Sequence, residues 1–116
     1  MLRSAAQVSQ TVLEIGGQEM AELLISMQRN ALPMKTAVIK IAIDQSKKVT
    51  FSYIDKKYER TVRTIEPQQI LIKNGELLVL GWCGLREMYR LFKIRRMTNV
   101  EIGETFNRKD IEMIPE

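Results

Sequence analysis

Between Glu76 and Met97 the sequence reads ELLVLGWCGLREMYRLFKIRRM, and its second half concentrates the side chains that could do chemistry. Arg86, Arg90, Lys93, Arg95 and Arg96 are interleaved there with Met88, Tyr89, Leu91, Phe92 and Ile94. An extended segment of this kind anchors its backbone through apolar groups and projects cations. If Arg63, Arg90, Lys93 and Arg96 converge on one rim, they offer planar and point-like donors to phosphates, with Tyr53 and Phe92 as faces on which bases stack. That would be a site for a nucleotide or a single-stranded nucleic acid. The competing reading is a set of separate surface charges neutralised by Glu59, Glu66 and Glu87, which lie close by in the chain. Arg90 and Lys93 stand three apart, on opposite faces of an ideal strand, so convergence requires a bulge or a closing sheet.

Composition narrows the alternatives. The 116 residues contain no histidine and one cysteine, so the commonest general base, the commonest metal ligand and any internal disulfide are missing. Cys83, beside Leu80 and Trp82, reads as a buried thiol, and Glu66 and Glu87 have no evident base, metal or nucleophile as partner; neither an enzyme nor a cofactor is expected. No long apolar run or signal-peptide pattern occurs, and the expectation is a cytoplasmic protein without membrane contact. The net charge of +4 is confined to one part: residues 1–46 balance four basic against four acidic side chains, and residues 47–116 hold fourteen against ten. This excess fits an anionic partner and fits a solvated surface as well.

The elements that must position these groups follow from periodicity. Val8, Val12 and Ile15 mark a short helix broken at Gly16-Gly17; Met20, Leu23, Leu24, Met27 and Ala31 mark a second, ended by Pro33; Met34, Val38, Ile41 and Ala42, widened by Ile39 and Ile43, mark a third. The third packs on the remainder of the domain. The apolar stripe of the first two must be covered by a second subunit or by folding back. From Lys47 the period becomes two: strands over 47–54 and 58–65 flank the charged turn Asp55-Lys56-Lys57, and a third runs from Pro67 to Lys73. Asn74-Gly75 is a two-residue hairpin turn, strands follow over 76–83 and 88–94, and residues 100–106 form a last edge strand after the turn Arg95-Arg96-Met97. Leu77, Leu78 and Val79 are expected in the core, since a continuous apolar run needs cover on both faces. A small curled antiparallel sheet or barrel after helices, an α+β fold, is the expected class.

The order of RTIEP at Arg63–Pro67, a strand, Asn74-Gly75, the apolar strand ending Gly81-Trp82-Cys83, and YRLFKIRRM at Tyr89–Met97 resembles the WYL domain of bacterial transcription regulators, over residues 39–106. The residues that give the family its name would fall on Leu77, Leu78 and Val79, where apolar character is kept and the aromatics are lost. Lys93 stands where the family usually has Arg, and Arg95 where it usually has Asp. The resemblance implies a five-stranded SH3-type, Sm-like barrel over residues 34–116, preceded by a helical linker or dimerisation segment over 1–33. It also implies a module sensing a nucleotide-like or nucleic-acid ligand through Tyr53, Arg63, Arg90, Phe92, Lys93 and Arg96. The segment before Met34 is too short and too poor in cations for the helix-turn-helix that family members carry. The chain would then be a piece of a longer regulator, or a stand-alone sensor pairing with a DNA-binding partner or with itself through its N-terminal helices. An Sm-like RNA-binding oligomer would share the barrel and rim, and the seven methionines suit a purely structural interaction module.

Overall fold

The computed structural model describes residues 16–108, and the expected first helix at Val8, Val12 and Ile15 lies outside them. Helix α1 spans Gly17–Arg29 and helix α2 spans Leu32–Asp44. Pro33 opens α2 rather than ending α1. A proline in the first turn gives up an amide that has no intrahelical partner anyway, so it costs nothing there. No side chain of α1 is buried, and Leu23, Leu24 and Met27 of its apolar stripe are 49%, 54% and 61% exposed. In α2 the packed face is Lys35, Ile39, Ala42 and Ile43, whereas Met34 and Ile41, expected inside, are exposed. The face is rotated because a lysine takes part in it.

Five strands follow: β1 (Lys47–Ile54), β2 (Arg60–Lys73), β3 (Glu76–Cys83), β4 (Met88–Lys93) and β5 (Met97–Thr105), in the order β4-β3-β2-β1-β5 with antiparallel pairing throughout. The expected second and third strands are one strand, β2. Its first half, Arg60 to Ile65, pairs with β1, and its second half, from Glu66, pairs with β3, with a register irregularity between Pro67 and Gln69 where it changes partner. Proline does not stop the strand because it sits at this irregularity, where a ladder donor is dispensable. Asn74 and Gly75 both have positive φ, +52° and +75°, as a tight hairpin turn requires. Asp55 Oδ1 accepts the amides of Lys57 and Glu59 at 2.8 and 3.0 Å and so fixes the β1–β2 turn.

The two ends of the sheet meet without pairing. β4 and β5 occupy opposite edges, yet only a 3-10 turn, Ile94–Arg96, connects them. Three residues cannot cross the width of a flat five-stranded sheet, so the sheet must curl until its edges approach, which gives an open barrel. The interior holds Val49, Phe51, Ile65, Val79, Phe92, Ile94 and Met97, with Ile39, Ala42 and Ile43 of α2. Met97, expected in a turn, is the fully buried first residue of β5. Leu78 and Val79 are buried as expected, and Leu77 is partly so. Lys35 secures the turn from outside the sheet. Its ammonium, on a side chain only 3% exposed, donates to the Met97 carbonyl at 2.7 Å and to the Arg95 carbonyl at 3.4 Å.

Two consequences can be measured. A methyl group at Gly81 would lie 3.0 Å from Ile65 Cβ and 3.1 Å from its Cγ1, too close for a core side chain held on its neighbouring strand. Gly81→Ala is expected to lose about 1–3 kcal/mol in denaturant melts, and a loss under about 0.5 kcal/mol would mean that Ile65 steps aside freely. Burial also lowers the pKa of Lys35 from its ordinary 10.5. The unfolded chain therefore keeps this proton to higher pH than the native one, so the lysine's contribution to stability is constant below the lowered pKa and grows with pH up to the ordinary lysine range. The wild type minus Lys35→Met difference in unfolding free energy is expected to increase as pH rises toward the ordinary lysine value of 10.5, and a flat or falling difference would refute a charged, desolvated Lys35.

Candidate functional site

The site begins with three aromatic side chains that the curl brings together. Phe51 and Tyr53 lie two apart on β1 and so share a face, and β4 carries Phe92 to them. Phe92 meets Phe51 and Tyr53 edge to face at centroid distances of 5.3 and 5.2 Å, and Phe51 meets Tyr53 at 6.2 Å. The Tyr53 hydroxyl accepts the Lys93 amide at 3.1 Å, which ties β1 to the end of β4 across the unpaired seam. Phe92 is 1% exposed, buried beneath other groups.

Those groups include two arginines. Arg63 stands opposite Phe51 on β2, and Arg90 stands on β4 two residues before Phe92, opposite Gly81. Both therefore point to the face that carries the aromatics. The Arg63 guanidinium carbon is 5.9 Å from the Phe92 centroid and that of Arg90 is 5.7 Å, within the range of cation–π attraction. Since Gly81 has no side chain, none on β3 stands directly across from Arg90. Arg63 Nε also donates to Thr61 Oγ1 at 3.0 Å, which limits its rotation. Among the described residues no carboxylate forms an ion pair with either arginine, and Glu59 and Glu87 do not neutralise them.

The remaining cations are used otherwise. Lys93 faces away from Arg90, and its ammonium lies 3.7 Å from Glu76. Arg95 reaches the same carboxylate at 2.6 Å. The Arg95 hydrogen bond, more than any other influence, holds the Glu76 carboxyl below the usual range, with the charges of Arg95, Lys93 and Arg96 adding to it against a partial desolvation. The charge reversal at Arg95 is thus answered by an acid at the start of β3. Arg96 turns inward, its Nη1 donating to the Ile54 carbonyl at 3.3 Å. Of the six residues expected in the site, Tyr53, Arg63, Arg90 and Phe92 form one cluster. Lys93 contributes its backbone to that cluster and its charge to Glu76, and Arg96 braces the end of β1. Glu76 and Lys35, which settle where the turn 94–96 lies, carried no signal as site residues beyond their opposite charges at a distance.

Such a centre offers two guanidinium planes above an apolar base, with N–H edges available for phosphate or carboxylate oxygens. Comparison with known proteins places it in context. Over 76 aligned residues the chain is 34% identical to the uncharacterized HTH-type transcriptional regulator YobV of Bacillus subtilis (strain 168), an alignment that covers 65% of this chain and 24% of the relative. The chain thus spans about a quarter of that relative's length. In architecture it is similar to proteasome accessory factor B/C (PafBC) of Arthrobacter aurescens, with a TM-score of 0.58 and 19% identity, over 61% of this chain and 11% of that one. Residues 35–102, more than half of the chain and the part that builds α2, the sheet and the two-arginine centre, match the WYL domain, and the protein belongs to that family.

Proposed function

We propose that this WYL domain is a ligand-sensing regulatory domain of a bacterial transcription regulator, and that its ligand is a nucleotide or a short single-stranded nucleic acid held by Arg63 and Arg90. The observation that carries the reading is the pair of guanidinium groups, without carboxylate partners among the described residues, set over one buried ring. Backbone held in a sheet fixes their positions, so little ordering is required when an anion binds. A phosphate would accept from their N–H edges. A base would stack on a guanidinium plane rather than on Phe92, which is covered. Lys93, paired with Glu76, and Arg96, on the Ile54 carbonyl, are given no direct ligand contact, and Tyr53 holds the two ends of the sheet at the spacing the ligand meets. DNA contact would come from a helix-turn-helix domain on the same polypeptide or a partner chain, as the name of the Bacillus relative suggests, and such a regulator acts in the cytoplasm.

The exposed stripe on α1 supports a second part of the reading. Leu23, Leu24 and Met27 lie about half or more in solvent, and a cleft of about 600 Å³ opens between α1, α2 and β5, lined by Ile25, Met34, Val38, Val100 and Ile102. We propose that a second copy of the chain covers this face.

Fluorescence anisotropy with a labelled short oligonucleotide tests the ligand reading. Arg90→Ala is expected to weaken binding about tenfold or more, by loss of a charge-assisted contact, while Lys73→Ala, an exposed cation at the β2–β3 turn, changes it less than about twofold. Affinity should fall with salt by a slope of about −0.7 per phosphate neutralised. Equal losses for the two variants would reduce the site to general surface charge. Sedimentation tests the second part: the full chain is expected to dimerise at micromolar concentration and Leu24→Glu to be monomeric. Monomeric behaviour of both would leave α1 without this role.

A further inference from the structure

Among the described residues, β2 pairs with β1 along one half and with β3 along the other, each half on one side only. Beyond Glu66 the second half of β2 is covered by β3, but on that same side the first half, Arg60 to Ile65, has no strand against it among the described residues, because β3 ends at Cys83 and the chain turns away. Every second residue there directs its N–H and C=O outward, in the direction a further strand would occupy. A cleft of about 320 Å³ lies along this edge, with Val62, Arg63 and Thr64 on one wall and Trp82, Gly84 and Leu85 on the other. Val62 is 72% exposed and Leu85 90%, so two large apolar groups stand in water at its margins.

We propose that this edge is a docking groove for an extended acidic peptide, which adds to β2 as a strand. The reading goes beyond the nucleotide site and shares only Arg63 with it. The backbone chooses the class of partner: an open strand edge presents donors and acceptors alternately, which another peptide strand satisfies and a phosphodiester backbone, with acceptors alone, does not. The side chains choose its composition. Arg60 and Val62 project to one face and Arg63 to the other, and neither arginine has an ion-pair partner among the described residues. Cross-strand pairing therefore selects acids opposite Arg60 and Arg63, three apart, with an apolar residue between them opposite Val62.

The test is a titration of the full chain, followed by NMR, with a short amidated peptide containing Thr-Glu-Thr-Val-Glu-Thr. Binding is expected to shift and slow the exchange of amides within residues 61–65. N-methylation of alternate peptide residues should abolish it, and Val62→Glu, at a position open enough to leave folding intact, should weaken it about tenfold. Arg90→Ala, which removes a proposed nucleotide contact, should leave peptide affinity within about twofold, so the two readings fail separately. Equal binding by the N-methylated peptide, or unchanged affinity in Val62→Glu, would overturn the groove; so would amide protection of residues 61–65 by an oligonucleotide and not by the peptide.

Discussion

The constraint on which the architecture depends is the change of partner in the middle of β2. A single strand pairs with β1 along one half and with β3 along the other, and the irregularity at Pro67–Gln69 re-aims it between them. Without that bend the sheet would be a flat ribbon with Arg63 and Arg90 on strands far apart. With it, β1 and β4 approach across the barrel, their aromatics interlock, and the two arginines reach one ring. The bend is itself held. Gln68 is fully buried with its Nε2 on the Glu66 carbonyl, and Arg108 donates to the Gln68 carbonyl at 2.6 Å and to the Ile43 carbonyl at 3.4 Å, linking β2 to α2 beyond the end of β5.

The open seam between β4 and β5 is a second consequence of the same geometry. Ladder hydrogen bonds do not close it, so side chains do: Tyr53 from within, through the Lys93 amide, and Lys35 from α2, through the carbonyls of Arg95 and Met97. A helix-borne ammonium is an unusual clasp, since burial disfavours its charge. The Arg95 carbonyl, in the 3-10 turn, is a suitable acceptor because it has no further turn to bond to, and the Met97 carbonyl opens the strand that follows. The outcome is a direct mechanical connection between α2, next to the exposed helix α1, and the turn that follows Phe92.

Much of this architecture was legible in the chain. Asn74-Gly75 can hardly be anything but a hairpin turn, the alternation from Val49 to Tyr53 requires a half-buried strand, and the run from Leu77 to Leu80 needs cover on both faces. What could not be read has a common cause. Hydrophobic periodicity counts lysine as outside, so it assigned Met34 and Ile41 to the packed face of α2 and missed that Lys35 completes the real one. Likewise, Pro67 read as a boundary because proline removes a donor, whereas a strand that is changing partner has no use for that donor. Charge sequence alone gave no means of telling which of the cations in 86–96 would find Glu76, since that pairing spans the β3–β4 hairpin and depends on its register.

Register also explains why the cations divide as they do. Arg90 and Phe92 lie two apart and face the barrel's interior edge; Lys93 lies one further and must face out, where the first residues of β3 are within reach. Glu76 is placed to receive Lys93 and Arg95 together, which separates these two cations from the arginine pair. The small net charge of the chain therefore understates the local one. Among the described residues the two guanidinium groups have no carboxylate ion-pair partner, and neighbouring strands fix them over one apolar ring. What sets these two arginines apart is the geometry the sheet imposes on them, and not the chain's excess of basic residues.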